Sequence, residues 1–270
     1  PTNSTVYNIY ATSTDACNIE LLDKSVVSVL PTPDLDLTVS SDEICIGETA
    51  IIIIANSELG ISYQLRLNAD NSDIGTAVLG TGFDLEFSVS PTLTTIYNVL
   101  ATGGNACAGS LVELSTVTVN PLPAQPVITA SGPTTFCEGG SVDLTASIAD
   151  EYLWSTGETS QTITVSTAGT YTVMISDVNT CASPISDPII INVNPLPAVS
   201  FSGLDISFCH DALPITLTGS PIPTALTIGI FSGPGITDNG DGTAVFDPVA
   251  AGIGGPYDIV YSYSDENTCM

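Results

Sequence analysis

The chain spells one pattern repeatedly: an alternating strand running into a Pro-x-Pro hinge, a Cys ahead of the next strand, a Tyr opening a later strand, and a second Cys soon after it. The hinges read Val27-Ser28-Val29-Leu30-Pro31-Thr32-Pro33, Val117-Thr118-Val119-Asn120-Pro121-Leu122-Pro123 and Ile191-Asn192-Val193-Asn194-Pro195-Leu196-Pro197. Self-similarity of this kind restricts the chain to an array of small modules in which each unit is one supersecondary package. From Tyr to the following Cys the step is ten residues for Tyr7/Cys17, Tyr97/Cys107 and Tyr171/Cys181, and twelve for Tyr257/Cys269. Three units and part of a fourth are expected. Residues 1–30 read as the last strands of a preceding module, 31–121 and 122–195 as full modules, and 196–270 as a module without its last strand.

Each module reads as all-β. Runs rich in Val, Ile, Thr and Tyr alternate with period two and are punctuated by Gly, Pro, Asn and Asp. No segment carries an apolar stripe at helical spacing with caps, so helix should be nearly absent. In the clearest unit Val142, Leu144 and Ala146 alternate on one strand, Tyr152 to Trp154 start another, Ile163 and Val165 mark a third, and Tyr171, Val173 and Ile175 a fourth. Ile189, Ile191 and Val193 mark the last. Trp154 and the Tyr positions Tyr97, Tyr171 and Tyr257 are expected in the cores.

Composition then removes whole classes of function. Only two basic residues, Lys24 and Arg66, face 29 acidic ones, for a net charge of -27. Nucleic acids and anionic membranes are recognised by clustered Lys and Arg, so neither is an expected partner. Charged residues are 11% of the chain and apolar ones 43%, a balance that builds cores rather than a disordered acidic tail. The longest apolar run, Ala50 to Ala55, is far shorter than the roughly 20 residues of a membrane span. Seven Cys beside a single His favour disulfides in an oxidising compartment over metal chemistry. The odd count and the end one residue after Cys269 are read as marks of a segment of a longer secreted chain.

The lone Trp on a third strand and the Gly-x-Tyr opening a penultimate one resemble the core Trp and tyrosine corner of immunoglobulin-like sandwiches. More specifically, "VTVNPLPAQPVITASGPTTFCEGGSVDLTAS", "YLWSTGETSQTITVSTAGTYTVMISD" and "GPGITDNGDGTAVFDPVAAGIGGPYDIVYSYSDENTC" resemble the immunoglobulin-like repeats of giant secreted proteins of Bacteroidetes bacteria. The resemblance covers residues 31–270, and the first thirty by their Tyr and Cys. It implies a tandem array forming an elongated rod, as in the gliding-motility adhesins exported by the type IX secretion system. It also implies a location at the outer cell surface, with partners among neighbouring modules, surface glycans or the substratum, and the anchoring or motility machinery. Secreted glycoside hydrolases and peptidases of the same bacteria use such modules as spacers, a competing expectation. Glycan or calcium binding by the modules themselves is a third.

In such a sandwich the Cys ahead of the second strand (Cys45, Cys137, Cys209) lies near the end where the chain leaves the module. The Cys after the Tyr strand (Cys17, Cys107, Cys181, Cys269) lies in the last hairpin, at the opposite end. Strands of six to seven residues separate those ends by roughly 20 Å, whereas a disulfide needs Cα atoms within about 7 Å. Two schemes compete. Pairing within modules would join Cys45 to Cys107 and Cys137 to Cys181. Pairing across boundaries, the favoured scheme, joins Cys45 to Cys181 and Cys137 to Cys269 and leaves Cys17, Cys107 and Cys209 to partners outside the segment. The hinge prolines Pro31, Pro33, Pro121, Pro123, Pro195 and Pro197 would stiffen the same joints.

Catalytic patterns are missing from the sequence. His210 stands beside Cys209 in a loop, and there is no Ser-His-Asp set, phosphate loop or HExxH. The pairs Asp42/Glu43 and Asp265/Glu266 read as solvated loop charge rather than an acid/base couple, so no enzyme is expected. Asp238-Asn239-Gly240-Asp241-Gly242 is rich in oxygen but lacks the alternating ligands of an EF-hand, so Asp238 and Asp241 are weak calcium candidates beside the plain hairpin-turn reading. No cofactor is otherwise expected.

Overall fold

The computed structural model describes residues 3–15, 18–22, 24–29, 32–104 and 107–270. Cys17 and Pro31 fall outside them. The chain divides into two compact units, Pro1–Pro123 with Val178–Cys181, and Ala124–Asp177 with Ala182–Met270.

The first unit opens with strands β1 (Thr5–Tyr7), β2 (Tyr10–Thr12), β3 (Asn18–Glu20) and β4 (Ser25–Val27), in which β1 pairs β4 and β2 pairs β3, both antiparallel. A sandwich follows. One sheet holds β5 (Val39–Ser41), β7 (Ala50–Ile54) and β10 (Leu85–Val89) in the order β10-β7-β5. The other holds β8 (Ser62–Leu67), β9 (Val78–Leu79) and β11 (Thr95–Thr102), with β12 (Ala108–Ser110) and β13 (Ser115–Val117) both on the edge of β11. Strand β6 (Ile44–Cys45) leaves the first sheet and pairs in parallel with β14 (Val119–Asn120). Period-two alternation explains the core: Ala50, Ile52 and Ile54 from one sheet meet Tyr63, Leu65, Tyr97, Val99 and Val117 from the other.

The second unit repeats the plan. Its first sandwich packs β15 (Ile128–Ala130), β17 (Val142–Ala146) and β19 (Thr162–Val165) against β18 (Glu151–Trp154), β20 (Gly169–Tyr171), β21 (Val173–Ser176) and β22 (Ile189–Asn194). Strand β16 (Thr135–Cys137) pairs in parallel with β22. The last sandwich has one sheet of β23 (Ser200–Ser202), β24 (Ile215–Ser220), β27 (Thr243–Phe246) and β26 (Ile236–Asp238). Among the described residues β25 (Ile228–Ser232) and β28 (Val260–Ser264) form the other. The one helix among the described residues, α1 (Pro248–Ala251), has Pro248 in its first turn and is capped by Asp247, whose Oδ1 accepts from the Val249 N–H at 2.9 Å. The fold is thus all-β, built of immunoglobulin-like sandwiches.

The hairpins share one register. Tyr7 faces Ser25, Tyr97 faces Ser115 and Tyr171 faces Ile189, with the same sequence interval in each pair. In the last sandwich this slot belongs to Ile259 and not to Tyr257. Phe231 faces Tyr261 there, as Leu65 faces Val99 and Trp154 faces Val173 in the earlier modules. Tyr257 is half-buried outside the core cluster, a correction to the sequence expectation. Its cause lies just upstream: Gly254 and Gly255 hold positive φ and Pro256 carries no N–H, so the strand cannot form until after them. Counted from Ile259, Cys269 falls at the same ten-residue step as its counterparts.

Candidate functional site

The features that repeat are the cysteines, and both kinds sit on built loops. Cys45 faces Asn120 and Cys137 faces Asn194 across the parallel ladders, so each lies beside the Asn-Pro hinge at the trailing end of its sandwich. Each then enters a tight turn with a glycine at positive φ. The Glu48 N–H donates to the Cys45 carbonyl at 3.0 Å over Gly47 (φ 95°), and the Gly140 N–H to the Cys137 carbonyl at 2.9 Å over Gly139 (φ 89°). A side chain in place of either Gly would be strained there.

The second kind of cysteine closes a loop spelled Asp-x-Asn-Thr-Cys in both Asp177–Cys181 and Asp265–Cys269. In the second copy Asp265 Oδ1 accepts from the Asn267 N–H at 2.9 Å and the Cys269 N–H at 2.8 Å, while the Thr268 N–H donates to the Asp265 carbonyl at 3.0 Å. One carboxylate thereby folds the loop around itself. The Thr before each Cys has left-handed backbone, φ 63° at Thr180 and 66° at Thr268, a costly conformation for a β-branched residue. Strain placed at the same step of both loops presents the following Cys inward. The sequence does contain the signal, the repeated Asp-x-Asn-Thr-Cys, but the Tyr-to-Cys count alone does not reveal it.

Cys45 is bonded to Cys181 and Cys137 to Cys269, each with a Cα separation of 5.5 Å, across 136 and 132 residues of sequence. Both partners Cys181 and Cys269 are fully buried. Each bond joins the cysteine beside the hinge of one sandwich to the Asp-x-Asn-Thr-Cys loop of the sandwich that follows in sequence. Cys107 is half-buried and Cys209 exposed, and both are free thiols. The within-module pairs Cys45/Cys107 and Cys137/Cys181 are not formed.

The other candidate residues take structural positions. Trp154 is 2% exposed and donates its indole N–H to the Ser160 carbonyl at 2.8 Å. The Tyr171 hydroxyl donates to the Thr167 carbonyl at 3.0 Å, closing a tyrosine corner over the bend into its strand. Burial pushes the Tyr97 phenol above its usual range, partly offset by a hydrogen bond with Thr95. The second proline of each hinge turns inward: Pro33 is buried and Pro123 and Pro197 are half-buried, while Pro121 and Pro195 are exposed.

The two calcium candidates are committed to bonds within their own sandwich. Asp238 Oδ1 accepts from the Phe231 N–H at 2.9 Å. Asp241 Oδ1 accepts from the Thr243 N–H at 3.0 Å and from its hydroxyl at 2.6 Å, and these bonds hold its carboxyl below the ordinary range. Gly240 and Gly242, at φ 76° and 83°, complete a turn that the sequence spells by itself. Among the described residues no group of three or more His, Cys, Asp or Glu is placed to share a metal ion. His210 is exposed beside Cys209. No helix of the described residues is long and apolar enough to cross a membrane.

No family model matches the chain, and no curated protein matches it. Among solved structures it is similar to a Ca2+-stabilised adhesin with which an Antarctic bacterium reaches out and binds ice (14% identity, 97% of this chain and 78% of that one, TM-score 0.38). It is also similar to a structure from a 1.5-MDa bacterial ice-binding adhesin (14% identity, 88% and 95%, TM-score 0.35). A third is the fibronectin(III)-like modules of Clostridium thermocellum CbhA (12% identity, 59% and 94%, TM-score 0.34). Likenesses this distant say nothing about function, and the strand pairing described above defines the fold.

Proposed function

We propose that this chain is a non-enzymatic, load-bearing shaft segment of a large secreted cell-surface adhesin. The observation that carries the reading is the repeated tie from the trailing end of one sandwich to the Asp-x-Asn-Thr-Cys loop of the next. A disulfide confined to one module protects that module, whereas a tie that skips forward resists separation of successive modules. Buried cross-boundary bonds, proline hinges and a skin of acidic and small polar groups are the properties a long extracellular polymer needs. The resemblance of the quoted segments to Bacteroidetes repeats supports a finer assignment: type IX export and a role in surface attachment and gliding, with adhesive contacts made by other regions of the parent protein.

The test is to stretch single molecules between their ends. With both bonds intact, a fully pulled chain runs from Cys45 to Cys181, back to Cys137 and on to Cys269, so most of the intervening sequence stays unloaded. Reductant should release hidden length on the order of 600 Å, at about 3.5 Å per freed residue. An extension unchanged by reductant would mean that the cysteines carry no load and would end this reading.

A further inference from the structure

One asparagine in the chain precedes a glycine, Asn239 before Gly240, in the exposed turn between β26 and β27. An asparagine side-chain amide is an electrophile placed beside the backbone nitrogen of the next residue. Reaction between the two is limited by how freely that nitrogen reaches the amide carbon. A side chain on the following residue obstructs the approach, and a hydrogen bond from its N–H holds the nitrogen back. Other asparagines of the chain show these restraints. Asn56 is followed by Ser57, whose N–H donates to the Phe83 carbonyl at 3.0 Å, and Asn71 by Ser72, whose N–H donates to Asp70 Oδ1 at 2.9 Å. Asn267 is followed by Thr268, whose N–H donates to the Asp265 carbonyl at 3.0 Å. Asn120 and Asn194 precede prolines, which carry no N–H.

Gly240 has neither restraint. Among the described residues nothing accepts from its N–H, and the space on its Cβ side holds no atom within 4 Å. The Asn239 amide is held from its far side: Nδ2 donates to Thr243 Oγ1 at 2.9 Å, and that hydroxyl donates to Asp241 Oδ1 at 2.6 Å. We propose that Asn239 is a self-modification site, converting without an enzyme to aspartate and isoaspartate. The Gly240 nitrogen gives its proton to solvent base and bonds to Asn239 Cγ. The Cγ–Nδ2 bond breaks, and the nitrogen takes a proton from water and leaves as ammonia. Water then opens the resulting succinimide at either carbonyl, so no oxidant or reductant takes part.

The isoaspartate branch runs the backbone through the former side chain and adds a methylene to the turn. That turn matters to its sandwich. The Asn239 N–H donates to the Thr243 carbonyl at 3.0 Å and closes the β26–β27 hairpin. Next to it, Asp238 Oδ1 accepts from the Phe231 N–H at 2.9 Å and so ties β26 to β25 of the facing sheet. Lengthening the backbone at position 239 breaks the closing bond and withdraws Asp238 from Phe231. The modification is therefore a clock on one module: it loosens the last sandwich with age and leaves the preceding sandwich and both disulfides unchanged.

The inference goes beyond the adhesin reading and does not depend on it. The whole chain is aged in warm, mildly alkaline buffer, and peptides are mapped by mass spectrometry after isoaspartate is labelled with an isoaspartyl methyltransferase. Asn239 should convert at least about tenfold faster than Asn56, Asn71 or Asn267, because its attacking nitrogen is free. Asn239→Gln should remove the label from that peptide. In the aged chain the Phe231 amide should exchange with deuterium at least about tenfold faster than in the fresh chain, while the Trp154 amide, bonded to the Glu158 carbonyl, is unchanged. Asn239→Asp, which adds the charge without the methylene, should keep the fresh protection at Phe231. No label at Asn239, equal labelling at the other three, or Phe231 protection that survives ageing or is lost equally in Asn239→Asp would each overturn the proposal.

Discussion

The third and fourth modules carry the same cysteine-bearing segment and treat it differently. Thr135-Phe136-Cys137 is a strand, paired in parallel with β22, whereas Ser207-Phe208-Cys209 is irregular and Cys209 is exposed. The local sequences are nearly the same, and the difference follows the partner: Thr135–Cys137 pairs with β22, and among the described residues no strand pairs with Ser207–Cys209. Strand formation here is conditional on a contact more than fifty residues away, as expected where β propensity mostly reports tertiary neighbours. The same contact decides where the first cysteine sits, and with it which second cysteine it meets.

Core substitutions break the comparison most strongly. Trp154→Ala should cost about 3–5 kcal/mol, since the ring is fully buried and its indole N–H is bonded, whereas Phe231→Ala at the matching site, buried against Phe201 and Tyr261 with no polar ring atom to leave a partner unpaired, should cost less. Urea denaturation followed by circular dichroism measures both, and equal costs would deny that the last sandwich is the looser one. Gly219→Ala tests packing peculiar to that sandwich. A Cβ at Gly219 or Gly229 would overlap the Tyr261 ring, whose hydroxyl donates to the Pro221 carbonyl at 2.6 Å, so a loss of about 1–3 kcal/mol is expected in the same assay.

The strained loops predict a gain. Thr180→Asn and Thr268→Asn should each stabilise by about 0.5–1 kcal/mol, because Asn tolerates the left-handed backbone that Thr resists. A loss at both positions would show that the Thr side chains hold the loops. The smallest effect is alkaline. Burial raises the phenols of Tyr63 and Tyr97 in the second module and Tyr261 in the fourth above their ordinary value of 10.0. Their stabilisation is therefore complete below pH 10 and is lost as pH climbs through the higher folded values, because the unfolded chain ionises first. Thermal melts from pH 9 to 11 should fall progressively, and Tyr63→Phe should flatten the second module's share of that fall.

Much of the architecture is written locally. The alternation of Ala50 to Ile54 and of Val142 to Ala146 fixes which face is buried, and the Asn-Gly-Asp-Gly turn spells its own hairpin. Tyr257 misleads because aromatic spacing is blind to the Gly-Gly-Pro before it, which postpones the strand and gives the Tyr position to Ile259. The ties are legible as bonds, since the favoured cross-boundary scheme is the one found, but not in their local geometry: the parallel pairing of Ile44 with Val119 places Cys45, and nothing near Ile44 encodes it. The Asp-x-Asn-Thr-Cys loops lie between these cases, since a short repeated spelling produces a strained geometry that only the backbone reveals.

The central claim is that the cysteines bind successive sandwiches and not the halves of one. A peptide map of the unreduced monomer by mass spectrometry tests it directly. Linked peptides Cys45/Cys181 and Cys137/Cys269, with Cys107 and Cys209 recovered as thiols, are predicted. Linked peptides Cys45/Cys107 and Cys137/Cys181 would contradict it.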